Sequence, residues 1–214
     1  MARVYTDISV SLDGYVAGPN QTREEPLGRG GEQLHEWAFR LAAWRRPHGL
    51  EGGETGPESE LVERTLADTG AYVMGRRMFS GGAGPWEDDQ NANGWWGDEP
   101  PFHVPVFVVT HHQREPLELE GTTFTFVTDG VEAAVAKAHA AAGDGDVQVA
   151  GGGSVVDQAL AAGLLDELQL HVAPVLLGPG GVRLFDGSAP VSFEMVESVG
   201  TPQATHLHYR RATP

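Results

Sequence analysis

The stretch VQVAGGGSVVDQALAAG, residues 147–163, decides the fold. Val147 to Ala150 is a short apolar run of the kind a buried strand needs, and Gly151-Gly152-Gly153-Ser154 breaks it. A helix follows through Ala162 and stops at Gly163. Strand, glycine break, helix is the repeating unit of a parallel sheet with helices packed on its faces.

The same unit recurs upstream. Thr122 to Val127 reads as a strand, and Asp129 stands where it can cap a helix over Val131 to Ala142 that ends at Gly143. Pro105 to Thr110 (PVFVVT) is a fully apolar strand, and Ala71 to Met74 is another. Pro57 suits a first helical position, with Leu61, Val62, Thr65, Leu66 and Thr69 along one face of the helix it opens. Leu34, Trp37, Leu41 and Trp44 recur at helical spacing before Pro47 and predict one further helix. At the start, Val4, Thr6, Ile8 and Val10 alternate with Tyr5, Asp7, Ser9 and Ser11, a strand that runs into the turn pair Asp13-Gly14.

Beyond residue 163 the pattern turns to strands: LQLHVAPVLL (168–177), SFEMVESV (192–199) and ATHLHYRR (204–211). The expected fold is therefore α/β, a mainly parallel central sheet with helices on both faces and antiparallel C-terminal strands at one edge. A single domain over residues 1–214 is expected, without internal repeat. Gly81 to Val104, rich in Gly, Pro, Asp and Asn, carries Trp86, Trp95, Trp96 and Phe102, which favour a packed, ligand-facing loop over a linker.

Composition narrows the functions. The 214 residues include thirty acids against fourteen Lys and Arg, of which Lys137 is the one lysine, and the formal charge is −16. Clustered cations are what hold phosphate backbones, so nucleic acid and anionic membranes are not expected partners. No apolar run reaches the roughly 18 residues of a membrane span, and MARVYTDISV lacks a secretory pattern, so a cytoplasmic protein is expected. Without cysteine there are no disulfides, thiolate zinc sites or cysteine nucleophiles. His206 and His208 share a strand face, but no metal motif accompanies them, and no metal is expected. Lys137 lies in an alanine-rich helix, which argues against Schiff-base chemistry, and no serine elbow is present.

In open α/β sheets ligands gather at the carboxyl ends of the strands, and four such ends carry unusual residues. In VMGRRMF (73–79), Gly75 permits close approach and Arg76 and Arg77 head a helix, where a phosphate would be welcome; the alternative is pairing with surface acids. In VAGGGSVV (149–156), three glycines either let a pyrophosphate lie against the backbone or make a tight turn. Thr110, His111 and His112 either contact a ribose or 2′-phosphate or are solvated loop residues. Asp13 is an acid reaching the site, a substrate acceptor, or a turn former.

Taken in order, SLDGYVAG (11–18), VMGRRMF (73–79), PVFVVTHH (105–112), VAGGGSVV (149–156) and PVLLGPGG (174–181) resemble the dihydrofolate reductase superfamily. The likeness is closer to stand-alone relatives of the reductase domain of the riboflavin-biosynthesis bifunctional deaminase/reductase, and it covers essentially the whole chain. The resemblance implies a three-layer dihydrofolate reductase-like fold, NADPH laid across the carboxyl ends of the sheet, hydride transfer to a small heterocyclic or carbonyl-like substrate, and a homodimer joined at sheet edges. It implies Gly75, Arg76, Arg77 and Met78 at the 2′-phosphate and pyrophosphate side, and Thr110, His111 and His112 at the adenosine end. Gly151, Gly152, Gly153, Ser154 and Val155 would cradle the pyrophosphate. Asp13, the candidate catalytic acid, and Gly14 would fall in the loop covering the nicotinamide.

Two departures bear on the substrate. Dihydrofolate reductases carry one carboxylate on the helix before the glycine–arginine strand, and here Glu58, Glu60, Glu63 and Asp68 all qualify. Riboflavin-type reductases often place a basic residue after S-L-D-G, where this chain has Tyr15. Trp37, Trp86, Trp95 and Trp96 are candidates to stack on a flat substrate or to pack in the core.

Overall fold

The computed structural model describes residues 2–82, 84–186 and 190–212. Of the unit expected over 1–214, residues 1, 187–189, 213 and 214 lie outside the described residues, as does Ala83 of the tryptophan-bearing loop.

The chain opens with β1 (Val4–Ser11) and β2 (Tyr15–Ala17), then α1 (Glu36–Phe39), α2 (Ala42–Arg45) and α3 (Pro57–Asp68). β3 (Thr69–Gly75) leads into α4 (Arg76–Ser80), followed by β4 (Val106–Val109), β5 (Leu117–Leu119) and β6 (Thr122–Val127). Next come α5 (Gly130–Ala141), β7 (Asp146–Gly151), α6 (Gly153–Ala161) and β8 (Glu167–Ala173). β9 (Val182–Arg183), β10 (Phe193–Gly200) and β11 (Thr205–Arg211) complete it.

Nine strands form one sheet in the order β10-β11-β8-β1-β7-β3-β4-β6-β5. The stretch from β8 to β6 is parallel throughout. β11 and β10 add antiparallel to β8, as the C-terminal pattern predicts. The far edge is antiparallel too, which corrects the expectation of one such edge. There β5 folds back on β6 across Glu120-Gly121, with Gly121 at φ 69°. Three residues are too few to reveal an alternation, so this strand left no readable period.

Two further corrections have backbone causes. The helix expected through Leu34, Trp37, Leu41 and Trp44 is broken into a 3-10 turn (Gly31–Leu34), α1 and α2. Leu41 is extended (φ −78°, ψ 138°), and the peptides around it bond to Glu54 instead: Glu54 N–H donates to Arg40 C=O at 2.7 Å, and Ala42 N–H to Glu54 C=O at 2.9 Å. The strand expected over LQLHVAPVLL ends at Ala173, because Pro174 has no N–H to give. The chain then loops back, and β9 pairs with β2 in a separate two-stranded ribbon.

Helices cover both faces. α5 and α6 bury Val131, Ala134, Val135, Ala138, Val155 and Val156 against Val73, Val147 and Val149 of the sheet. On the other face, α4 and the loop after it bury Phe79 against Met74, Val106 and Phe124. Phe79 meets Phe124 edge to face at 5.0 Å, and each such fully buried ring contributes roughly 1.5–3 kcal/mol by removal from water. Among the described residues no helix is long and apolar enough to cross a membrane.

Candidate functional site

The carboxyl ends of β1, β7, β3 and β4 lie side by side. Met74 is level with Gly151, and Gly75 with Val109. The topology thus brings the two strand–glycine–helix junctions into contact and sets Thr110 beside them.

At the end of β7, Gly151 has φ 129°, and the Gly151–Gly152 peptide is cis. A Cβ on Gly151 would lie 3.5 Å from the Met78 sulfur, whereas one on Gly152 would meet nothing within 4 Å. Gly152 therefore faces open space, and Ser154 is exposed beside it. Gly153 is packed shut: a Cβ there would sit 2.9 Å from Val16 of β2 and 3.1 Å from Val182 of β9. Val155 is buried. The first peptide N–H groups of α6 have no partner within the helix and carry its positive end.

The β3 junction is different. Gly75 is where Val155 packs, 3.0 Å from the Cβ position. Arg76 is only 7% exposed, and its guanidinium donates to Asp89 at 2.5 Å and to the Ser80 hydroxyl. It lies 3.6 Å over the ring of Trp86. Ser80 also donates to Asp89, at 2.7 Å. Burial would raise the Asp89 pKa, but the bonds from Ser80, Arg76 and the Asn91 amide outweigh it and lower it. Arg76 thus serves an internal ion pair, which corrects the expectation that it binds phosphate alongside Arg77. Arg77 is exposed.

Thr110 is buried, and its hydroxyl accepts the His112 N–H at 3.1 Å. The Trp86 indole donates to the His112 carbonyl at 2.8 Å, tying the 81–104 loop to this turn. His111 is exposed and His112 half-buried. Arg114, for which the sequence carries no local signal, stands 5.0 Å from the Trp86 ring. Of the other tryptophans, Trp37 is buried and donates to Ser9 at 3.0 Å. Trp96 donates to the Phe79 carbonyl at 3.1 Å and packs on Phe102. Trp95 covers Gly81, where a Cβ would meet its ring at 2.7 Å. The loop is packed, as expected, with its rings turned mainly to the protein.

Asp13 is committed on both oxygens. Oδ1 accepts from the Ser11 hydroxyl at 2.6 Å and the Leu177 N–H at 3.1 Å, and Oδ2 from the Gly178 N–H at 2.8 Å. The Ser11 bond leads the effects that lower its pKa. Such a carboxylate is a clamp between two loops and a poor proton donor, so of the three readings the turn former fits. Arg183 on β9 stands against the turn after S-L-D-G: its guanidinium lies 3.5 Å from the Cβ position of Gly14 and 5.0 Å over the Tyr15 ring. No signal near residue 15 could have found it, since only the β2–β9 pairing brings the two together.

Of the acids on α3, Glu58 turns inward. It bonds to Arg40 at 2.6 Å, Thr201 at 2.8 Å and His206 at 3.0 Å. Glu63 pairs with Arg46 on the surface, Asp68 lies near the exposed Arg3, and Glu60 is exposed. Among the described residues no cluster of acids and histidines has the arrangement of a metal site.

The donors at the edge suit an anionic ligand: open backbone at Gly152, the N–H groups heading α6, and the exposed side chains of Ser154, Arg77 and His111. The family model described as the RibD C-terminal domain matches residues 2–207. No curated protein sequence matches. Among solved structures, a Shewanella protein provisionally named a riboflavin biosynthesis protein is 22% identical over 100% of both chains, with a TM-score of 0.63. The Thermotoga maritima diaminohydroxyphosphoribosylaminopyrimidine deaminase/5-amino-6-(5-phosphoribosylamino)uracil reductase is 15% identical, TM-score 0.57, over 99% of this chain and 57% of its own length. A pyrimidine reductase-like protein of Corynebacterium diphtheriae is 14% identical over 100% and 93%, TM-score 0.52. These likenesses establish the dihydrofolate reductase-like fold.

Proposed function

The chain belongs to the RibD C-terminal domain family, a reductase-like family, and from that premise we propose that it is an NADPH-dependent reductase of a small heterocyclic or carbonyl-like substrate. The observation that carries the proposal is the adjacency of the two glycine junctions, one packed and one open, at the carboxyl edge of the sheet. When bound there, the nicotinamide supplies the hydride. Gly152 and the head of α6 would hold the pyrophosphate, and Arg77 with His111 would meet the 2′-phosphate. Met78 and Val155 would wall the cleft, and Gly14 and Arg183 would border the substrate end. Confining donor and acceptor in that cleft replaces a chance collision by a fixed approach.

The assembly proposed is a homodimer joined at a sheet edge. β10 supports it, being an outer strand with Met195 57% and Val196 45% exposed, a surface that isolated proteins usually protect.

Binding is tested by quenching of tryptophan fluorescence on NADPH titration, and turnover by loss of 340 nm absorbance with dihydrofolate, riboflavin-precursor pyrimidines and small carbonyls. Oxidation with one of these substrates is the expected result. Quenching without oxidation would identify a nucleotide-binding module, and absence of both would overturn the cofactor assignment.

A further inference from the structure

A buried row of four titratable side chains crosses the sheet outside the glycine edge. Ser9, His171 and His206 are level on β1, β8 and β11, with Asp7 two residues earlier on the same face of β1. Asp7 bonds to His171 Nε2 at 2.8 Å, His171 Nδ1 to His206 Nδ1 at 2.7 Å, and His206 Nε2 to Glu58 at 3.0 Å. Trp37 packs over both imidazoles, at 4.4 and 4.8 Å. The histidine side chains are 3% and 2% exposed, those of Asp7 and Glu58 19% and 13%.

Hydrogen-bond accounting fixes how many protons this row holds. Each of its three links needs one proton between its two heavy atoms. Two neutral imidazoles supply only two. The third makes the row carry a single negative charge, instead of the two that its carboxylates alone would give.

The surroundings decide where that third proton sits. Glu58 also receives Arg40 at 2.6 Å and the Thr201 hydroxyl, so both of its oxygens are already accepting, and the third link is filled from His206 Nε2. Burial lowers the pKa of His206 in spite of Glu58, which leaves a neutral ring whose Nδ1 must accept. His171 therefore donates from Nδ1. The remaining proton lies in the Asp7–His171 link, on a ring nitrogen or on the carboxyl oxygen.

We propose that Asp7 and His171 hold the proton that reduction consumes, with His206 and Glu58 as positioning residues that force it to the central-strand end of the row. This rests on the reductase reading above. Hydride addition to a C=O or C=N carbon leaves a heteroatom that takes one proton. Asp7 delivers it, either to the heteroatom or to a water bound there, and the row passes from one negative charge to two. Water restores it. A shallow solvent-open depression of about 10 Å³, room for little more than one water, lined by Leu61, Gln169, His171, His206 and His208 among others, reaches the imidazole pair between α3 and β11.

The other groups facing the row are neutral or already paired. His35, buried beside His171, has its pKa lowered to about 4, chiefly by burial. Tyr5 and Tyr72, toward Asp7, are both pushed up by burial, Tyr72 to about 12. His208 is held by Glu167 at 2.9 Å, and Glu197 lines the rim of the depression.

Two measurements on the full-length chain test this. Long-range ¹H–¹⁵N spectra of the histidine rings should show His171 Nδ1 and His206 Nε2 protonated, His206 Nδ1 bare, and a downfield proton in the Asp7 link that vanishes in Asp7→Asn. The reverse tautomers, or no such proton, would overturn the assignment without reference to activity. In turnover, D7N should lower kcat about a hundredfold with NADPH affinity unchanged. Glu58→Gln keeps an acceptor for His206 but removes a negative charge, so the alkaline limb of the kcat profile should move to lower pH. A fall in activity with the limb unmoved would reduce the row to a structural role. No turnover of any substrate by the unaltered protein would overturn the reductase reading itself, whatever the spectra show.

Discussion

The two strand–glycine–helix junctions read alike in sequence and are built for opposite ends. At β3 the glycine is a packing device: Val155 fills the place of a side chain, and the first cation of the helix is turned inward onto Asp89. At β7 the middle glycine leaves its backbone bare. The contrast separates two reasons for glycine, close packing of chain on chain and access of a ligand to peptide groups. It also shows that a cation at a helix head is no guide to anion binding until its partners are known.

The largest expected effect tests the packed junction. Asp89→Ala strands a buried guanidinium, and losing one partner of a buried pair costs about 3–5 kcal/mol, read as a shift of the urea unfolding midpoint. A loss below about 1 kcal/mol would mean that Arg76 has another way to be satisfied.

Acid should separate this junction from the rest of the fold. His35 is neutral when folded, with a pKa of about 4, against about 6.5 unfolded. Between those values the unfolded chain binds a proton that the folded one refuses, so stability falls as pH falls across that window, by about 3 kcal/mol at most. Asp89, with its lowered folded pKa, keeps its contribution above about pH 4 and loses it below. His35→Phe should flatten the upper window and leave the lower one, as followed by thermal unfolding against pH.

Within the open junction, Gly153→Ala forces a methyl against Val16 and Val182 and should cost about 1–3 kcal/mol. Gly152→Ala should stay within about 0.5 kcal/mol of the parent stability while weakening NADPH, as measured by fluorescence titration. Equal stability losses would erase the distinction between the two glycines. The smallest effect concerns charge. Arg77→Ala should weaken NADPH about tenfold, or about 1.4 kcal/mol, and leave NADH unchanged; equal loss for both would put Arg77 on the shared pyrophosphate.

What was legible followed from local pattern. The parallel strands, α3, α5, α6 and the glycine junctions all announce themselves through period, caps and breaks. What was not legible depends on partners far away in sequence. Leu41 looks helical until Glu54 takes the neighbouring peptides, and Arg76 looks like a phosphate ligand until Asp89 arrives from a folded loop. Glu58 could not be chosen from its three neighbours because Thr201 and His206, which select it, are more than 140 residues away. His206 was noticed only as a weak metal ligand beside His208, since nothing local joins it to His171 and Asp7.

The placement of the first strand has a consequence for how the molecule is made. β1 lies between β7 and β8, so its two neighbours are residues 146–151 and 167–173. During synthesis, β3, β4, β5 and β6 can pair as they emerge, all lying within residues 69–127. The N-terminal strand waits, its apolar face unmatched, until more than two thirds of the chain has been made. Closing so long a loop is slow, and an unpaired strand held that long is exposed to the wrong neighbour. The expected order of assembly is a β3–β6 block first and β1 last, inserted as a wedge between strands that then close on it.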